Sequence, residues 1–89
     1  MQSVQFTDDN AAEVAEFLEA DSIKVQTGPA SADPDLRIAG RKYFRHDLPG
    51  WGQPEFFAHI VVGDWLVRMT PGGQVLRYYP EQYKDTFPA

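Results

Sequence analysis

The chain reads as an α+β domain in which one helix packs on a mostly antiparallel, curled sheet of about five to six short strands. The predicted order is β-α-β-β-β-β-β with a C-terminal helical turn, all within a single domain, 1–89. Three observations predict this class. Residues 56 to 79 are β-branched and aromatic runs broken by Gly-Asp and Pro-Gly-Gly, as strands and tight turns require. Near the N-terminus, apolar residues recur at helical spacing behind a capping signal. Between these regions, polar and apolar residues alternate with the period of a half-buried strand.

Ser3-Val4-Gln5-Phe6-Thr7 alternates, so Val4 and Phe6 face the core from a first strand. Asn10 is the predicted helix N-cap, with Glu13 three residues on to complete a capping box. Ala11, Val14, Phe17 and Leu18 form one apolar stripe, and Glu13, Glu16 and Glu19 take the other faces, which predicts a helix from Ala11 to Ala20. Asp8 and Asp9 lie at its positive end. Residues 22 to 27 alternate again as a second strand ended by Gly28-Pro29, and residues 30 to 35 lack periodicity and read as a loop. In residues 36 to 41, Leu36 and Ile38 point inward from a predicted third strand with a basic outer face. A loop from His46 to Pro54 follows, marked by Pro49, Gly50, Gly52 and Pro54.

The expected framework is a three-stranded meander. Residues 56 to 62 run out, Gly63-Asp64 makes a two-residue hairpin loop, and residues 65 to 69 run back. Pro71-Gly72-Gly73 then turns the chain so that residues 75 to 79 return alongside. Pro80 suits the first position of a terminal helix that docks Tyr83 and Phe87, one turn apart.

Composition narrows the function. With 43% hydrophobic residues the chain lies well above the disordered range, so it is expected to fold alone. The absence of cysteine excludes a disulfide scaffold, a thiol nucleophile and cysteine-based metal sites, and a cytoplasmic location fits best. No apolar run approaches membrane-spanning length, and Met1-Gln2-Ser3 lacks the start of a signal peptide, so no membrane partner is expected. The net charge of −5 is unevenly spread: eight acids precede residue 36 against Lys24 alone, while seven bases meet five acids after it. This balance argues against tight, nonspecific binding to phosphate backbones.

Two groups of residues, Val4 to Thr7 with Asp9, Asn10, Glu13, Val14 and Phe17, and Val62 to Val67 with Gly73, Tyr79, Pro80 and Phe87, carry a family likeness. Together they resemble a widespread family of short bacteriophage and prophage accessory proteins. Those proteins open with a strand and capped helix, place a Gly-Asp-aromatic turn in a hairpin, and end on a Pro-led aromatic segment. The likeness leaves residues 20 to 61 outside it. It implies a small soluble viral accessory protein and carries no reaction or catalytic residues.

The residues themselves supply no catalytic set. His46 and His59 are thirteen positions apart with no helical pairing, so no metal and no cofactor is predicted. Ser3, Ser22 and Ser31 do not occupy a strand-to-helix elbow, which removes nucleophilic hydrolysis. Gly72-Gly73 and Gly50-Trp51-Gly52 precede strands or proline rather than a helix start, so they read as turns and not phosphate loops. The expectation is that the chain is not an enzyme.

Two surfaces remain. Trp51, Trp65, Tyr78 and Tyr79 are more rings than one helix and a small sheet can cover, and exposed rings mark protein interfaces or self-association. Arg37, Arg41, Lys42 and Arg45 are interleaved with Tyr43, Phe44 and Trp51, the mixture that single-strand or nucleotide binders use. The first reading leads: a non-enzymatic phage accessory protein that binds a host protein in the host cytoplasm, with a homodimer as a further expectation. The alternatives are nucleic-acid or nucleotide binding through residues 37 to 51, for which the acidic balance is unfavourable, and a minor structural component of a virion.

Overall fold

The computed structural model describes residues 1–30, 36–47 and 57–88. They form β1 (Gln2–Gln5), α1 (Ala11–Phe17), β2 (Gln26–Thr27), a 3-10 turn (Leu36–Ile38), β3 (Lys42–Asp47), β4 (Phe57–Val61), β5 (Trp65–Arg68), β6 (Val75–Tyr78) and α2 (Pro80–Thr86). This is an α+β fold. Its described strands are shared between two three-stranded antiparallel sheets, β1-β5-β6 and β2-β3-β4, in place of one curled sheet.

The division falls at Gly63-Asp64. The predicted hairpin would pair β4 with β5, whereas β4 pairs with β3 and β5 lies between β1 and β6. The outer edge of β4 supplies the reason. The Val61 N–H donates to Asp64 Oδ2 at 3.0 Å and the Val61 carbonyl accepts from the Asp64 N–H at 2.9 Å. The His59 carbonyl accepts from Arg77 Nη1 at 3.0 Å. Edge groups satisfied in this way do not require a neighbouring strand. The chain instead leaves the turn beside β1, where the Phe6 N–H donates to the Asp64 carbonyl and the Gly63 N–H to the Phe6 carbonyl.

The sheets meet through their apolar faces. Cross-strand partners share a face, which sets Val4 beside Leu66 on one sheet and Phe44 beside Ile60 on the other. These four residues, with Phe6 and Val14, form the main buried cluster. The Phe6 and Phe44 rings meet edge to face, centroids 5.1 Å apart. A smaller cluster, Ile38 and Val61 with Ala39 and Tyr43 against it, covers the opposite face of the β2-β3-β4 sheet.

Four local predictions are corrected. The first helix ends at Phe17, because the Glu19 N–H donates to the Glu16 carbonyl and the Ala20 N–H to the Ala15 carbonyl, the two bonds of a Schellman cap. That cap puts Glu19 at φ 57, where glycine is usual, so the sequence carries no stop signal. The capping box at Asn10 does not form. Its side chain accepts the Thr7 N–H at 2.8 Å and donates to the Gln5 carbonyl at 2.6 Å, bracing the β1–α1 turn and leaving Glu13 exposed.

The predicted strand over residues 36 to 41 is a 3-10 turn followed by Gly40 at φ 68, and the strand starts at Lys42 and takes in His46. Gly28 causes this. Its N–H donates to the Arg41 carbonyl and its carbonyl accepts from the Gly40 N–H, and a Cβ there would stand 1.8 Å from the Ile38 carbonyl oxygen. Only glycine lets the two segments cross so closely. The second strand is confined to Gln26–Thr27, with Ile23 packed on the main core from outside it. Trp51 and the greater part of both predicted loops lie outside the described residues. Among the described residues, no helix is long and apolar enough to cross a membrane.

Candidate functional site

Asp64 is the only charged residue between Phe56 and Val67, the most apolar run of the chain, and it is 1% exposed. A carboxylate taken out of water must be paired and hydrogen-bonded to persist as a charge. Arg37 Nη2 lies 2.6 and 2.8 Å from the two oxygens, the Val61 N–H supplies a further bond, and Arg77 Nη1 stands 4.0 Å from Oδ2. Gly63, at φ 104, makes the preceding turn possible without strain. The carboxylate thus joins β4, β6 and the 3-10 turn at the place where the sheets meet.

Guanidinium groups gather around Tyr79. Arg37 Cζ lies 4.2 Å and Arg77 Cζ 4.5 Å from the ring centroid, and Arg77 Nη2 donates to the Tyr79 hydroxyl at 3.3 Å. Arg41 Nη2 donates to the Val62 carbonyl. A Cβ on Gly63 would lie 3.5 Å from Pro80 Cγ and 3.6 Å from Arg41 Nη2, which places Arg41 and the start of α2 beside the turn. Tyr79 is 38% exposed and Arg41 is exposed, while Arg77 keeps only 12% of its side-chain surface. The arrangement offers oriented, partly desolvated cations beside an aromatic ring.

Of the predicted basic residues, Arg37 and Arg41 come to this junction and Lys42 and Arg45 do not. Lys42 sits 3.9 Å from Asp8, both side chains exposed, and Arg45 lies opposite His59 in the β3–β4 register. The predicted binding rings are split as well. Trp65 stacks on Tyr83 at 3.9 Å and 6° between planes, and Tyr78 meets Phe87 edge to face at 5.6 Å, so both are half-buried under α2. This bears out the docking of Tyr83 and Phe87. Tyr79 alone of the described set belongs to the junction, and Trp51 lies outside the described residues.

Asp64 and Arg77 were not among the sequence candidates. Asp64 has a signal in its isolation within an apolar run, where a charge is tolerated only at an exposed turn or when paired. Arg77 has none, since its role depends on which strand lies across the junction. A separate surface hollow between α1 and β1 is lined by Glu13, Glu16, Glu19 and Phe17, with Arg68 donating to the Phe17 carbonyl at 3.0 Å. Among the described residues, no group of three His, Cys, Asp or Glu is placed to hold a metal ion. Comparison with protein-family models, with curated proteins and with solved structures gives no match.

Proposed function

We propose that the protein is a non-catalytic binding protein that docks another protein on the Arg37, Arg41, Arg77 and Tyr79 surface. The carrying observation is the gathering of two guanidinium groups, from the 3-10 turn and β6, at one partly exposed tyrosine, with a third, that of Arg41, at the adjoining Val62-Gly63 turn. Arginine and tyrosine are the side chains in which interface energy concentrates. Asp64, the carboxylate of the group, is buried and bonded to its own chain, which suits a structural part better than proton transfer. The likeness to phage accessory proteins makes a bacterial protein in the host cytoplasm the expected partner.

The nucleic-acid reading has less support. Base stacking needs an open ring face. Trp65 is covered by Tyr83, Tyr43 packs edge-on to His59 at 5.2 Å, and Tyr79 carries guanidinium groups. The test is capture from bacterial lysate on immobilised protein, with Arg41→Glu and Lys84→Glu in parallel. A protein retained by the wild type and by Lys84→Glu but lost from Arg41→Glu supports the reading. Equal retention by Arg41→Glu, or release by nuclease, overturns it.

A further inference from the structure

Among the described residues, Arg41 and Arg77 bring more positive charge to the junction than Asp64 takes up. The Asp64 oxygens lie within 2.8 Å of Arg37, whereas Arg77 stands 4.0 Å away. Among the described residues, Arg41 meets no carboxylate, and only its Nη2 is engaged, by a backbone carbonyl. A guanidinium presents five N–H donors in a planar fork matched to a carboxylate, and here that fork is fixed at one corner and exposed over the remainder. Holding such a side chain in place beforehand removes part of the entropy cost of binding.

We infer that the junction is a carboxylate site for a short acidic segment of the partner protein. Arg41 makes the direct contact, and Arg37 and Arg77, held by Asp64 and Tyr79, supply the field. The inference rests on the protein-binding reading above and names the chemistry that the site selects. Two observations restrict the ligand to a short acidic run rather than a long polyanion. Lys42, the next residue to Arg41, lies against Asp8, so the positive ground borders the acidic residues that lead into α1. The chain as a whole is −5, so a longer negative strand would cross repulsive surface.

An NMR titration of the full chain at low salt tests this, with blocked tetraglutamate, blocked tetraglutamine and an eight-nucleotide oligothymidylate as probes. Tetraglutamate should give saturable shifts at residues 37–41 and 62–64, weakened by added salt, with no matching response to tetraglutamine. Arg41→Gln should melt like the wild type and bind tetraglutamate about tenfold more weakly, the loss expected for one charge-assisted contact. Arg41→Lys, which keeps the charge without the fork, should fall between them. Equal binding of tetraglutamine, unchanged affinity in Arg41→Gln, or tighter binding of the oligonucleotide overturns the inference. Should lysate capture depend on Arg41 while tetraglutamate fails to bind, the carboxylate inference falls and the protein-binding reading stands. Capture independent of Arg41 removes that reading itself.

Discussion

The two faces of the β1-β5-β6 sheet are closed by opposite means. On one, Trp65 and Tyr78 are cross-strand partners that carry the rings of Tyr83 in α2 and of Phe87 at its C-cap. On the other, which packs on the second sheet through Val4 and Leu66, a charge stands beside the apolar contact: Arg77, the partner of Leu66, reaches across to the buried Asp64 and the edge of β4. Ring stacking is short-ranged, and each pair contributes a modest increment of its own. A buried ion pair behaves differently, since removing one member strands the other without water. The aromatic face should therefore yield locally and by degrees, and the charged junction as a unit.

The largest expected effect follows from that contrast. Asp64→Ala leaves Arg37 without its carboxylate and Val61 without its side-chain acceptor, and should cost about 3–5 kcal/mol. For a chain of this size, that lowers the melting temperature by roughly 15–30 °C, measured by circular dichroism. A loss under about 1 kcal/mol would mean that the network does not hold the sheets together. Gly28→Ala comes next, because the added methyl collides with the Ile38 carbonyl and the two backbones must part. We expect a loss of about 1–3 kcal/mol in urea denaturation.

Tyr83→Ala sharpens the comparison. It should cost about 1–2 kcal/mol, and hydrogen exchange should rise in α2 while the β1 and β5 amides keep their protection. Equal loss of protection throughout both sheets would erase the distinction between the faces. Glu19→Gly should stabilise by about 0.5–1 kcal/mol, since it relieves a left-handed residue at the end of α1 at some cost in unfolded-state entropy. Lys42→Ala should change stability by no more than about 0.5 kcal/mol, because its pairing with Asp8 is solvent-exposed.

How much of this was legible in the sequence depended on the range of the controlling contact. Period-two alternation identified Val4 and Phe6 as core, and helical spacing placed Tyr83 and Phe87 against the sheet, because each pattern is local. The end of α1 was hidden because a glutamate occupies the position where a glycine would have announced it. The pattern of residues 36 to 41 fitted a strand, and only the close passage of Gly28 turned it into a 3-10 turn. Gly63-Asp64 carried a true turn signal but a false partner, since the side chains that satisfy the edge of β4 come from the turn itself and from β6. Of the site, Arg37, Arg41 and Tyr79 were visible as residue types, and the pairing of Arg37 with Asp64 and its packing on Tyr79 were not.

A double-mutant cycle on Asp64→Asn and Arg37→Gln, read by urea denaturation, reaches the junction most directly. We predict that the two losses fail to add by about 2 kcal/mol or more, as for residues sharing one buried network. Losses that add to within about 0.5 kcal/mol would show that Asp64 and Arg37 act independently, and would contradict a junction organised around that carboxylate.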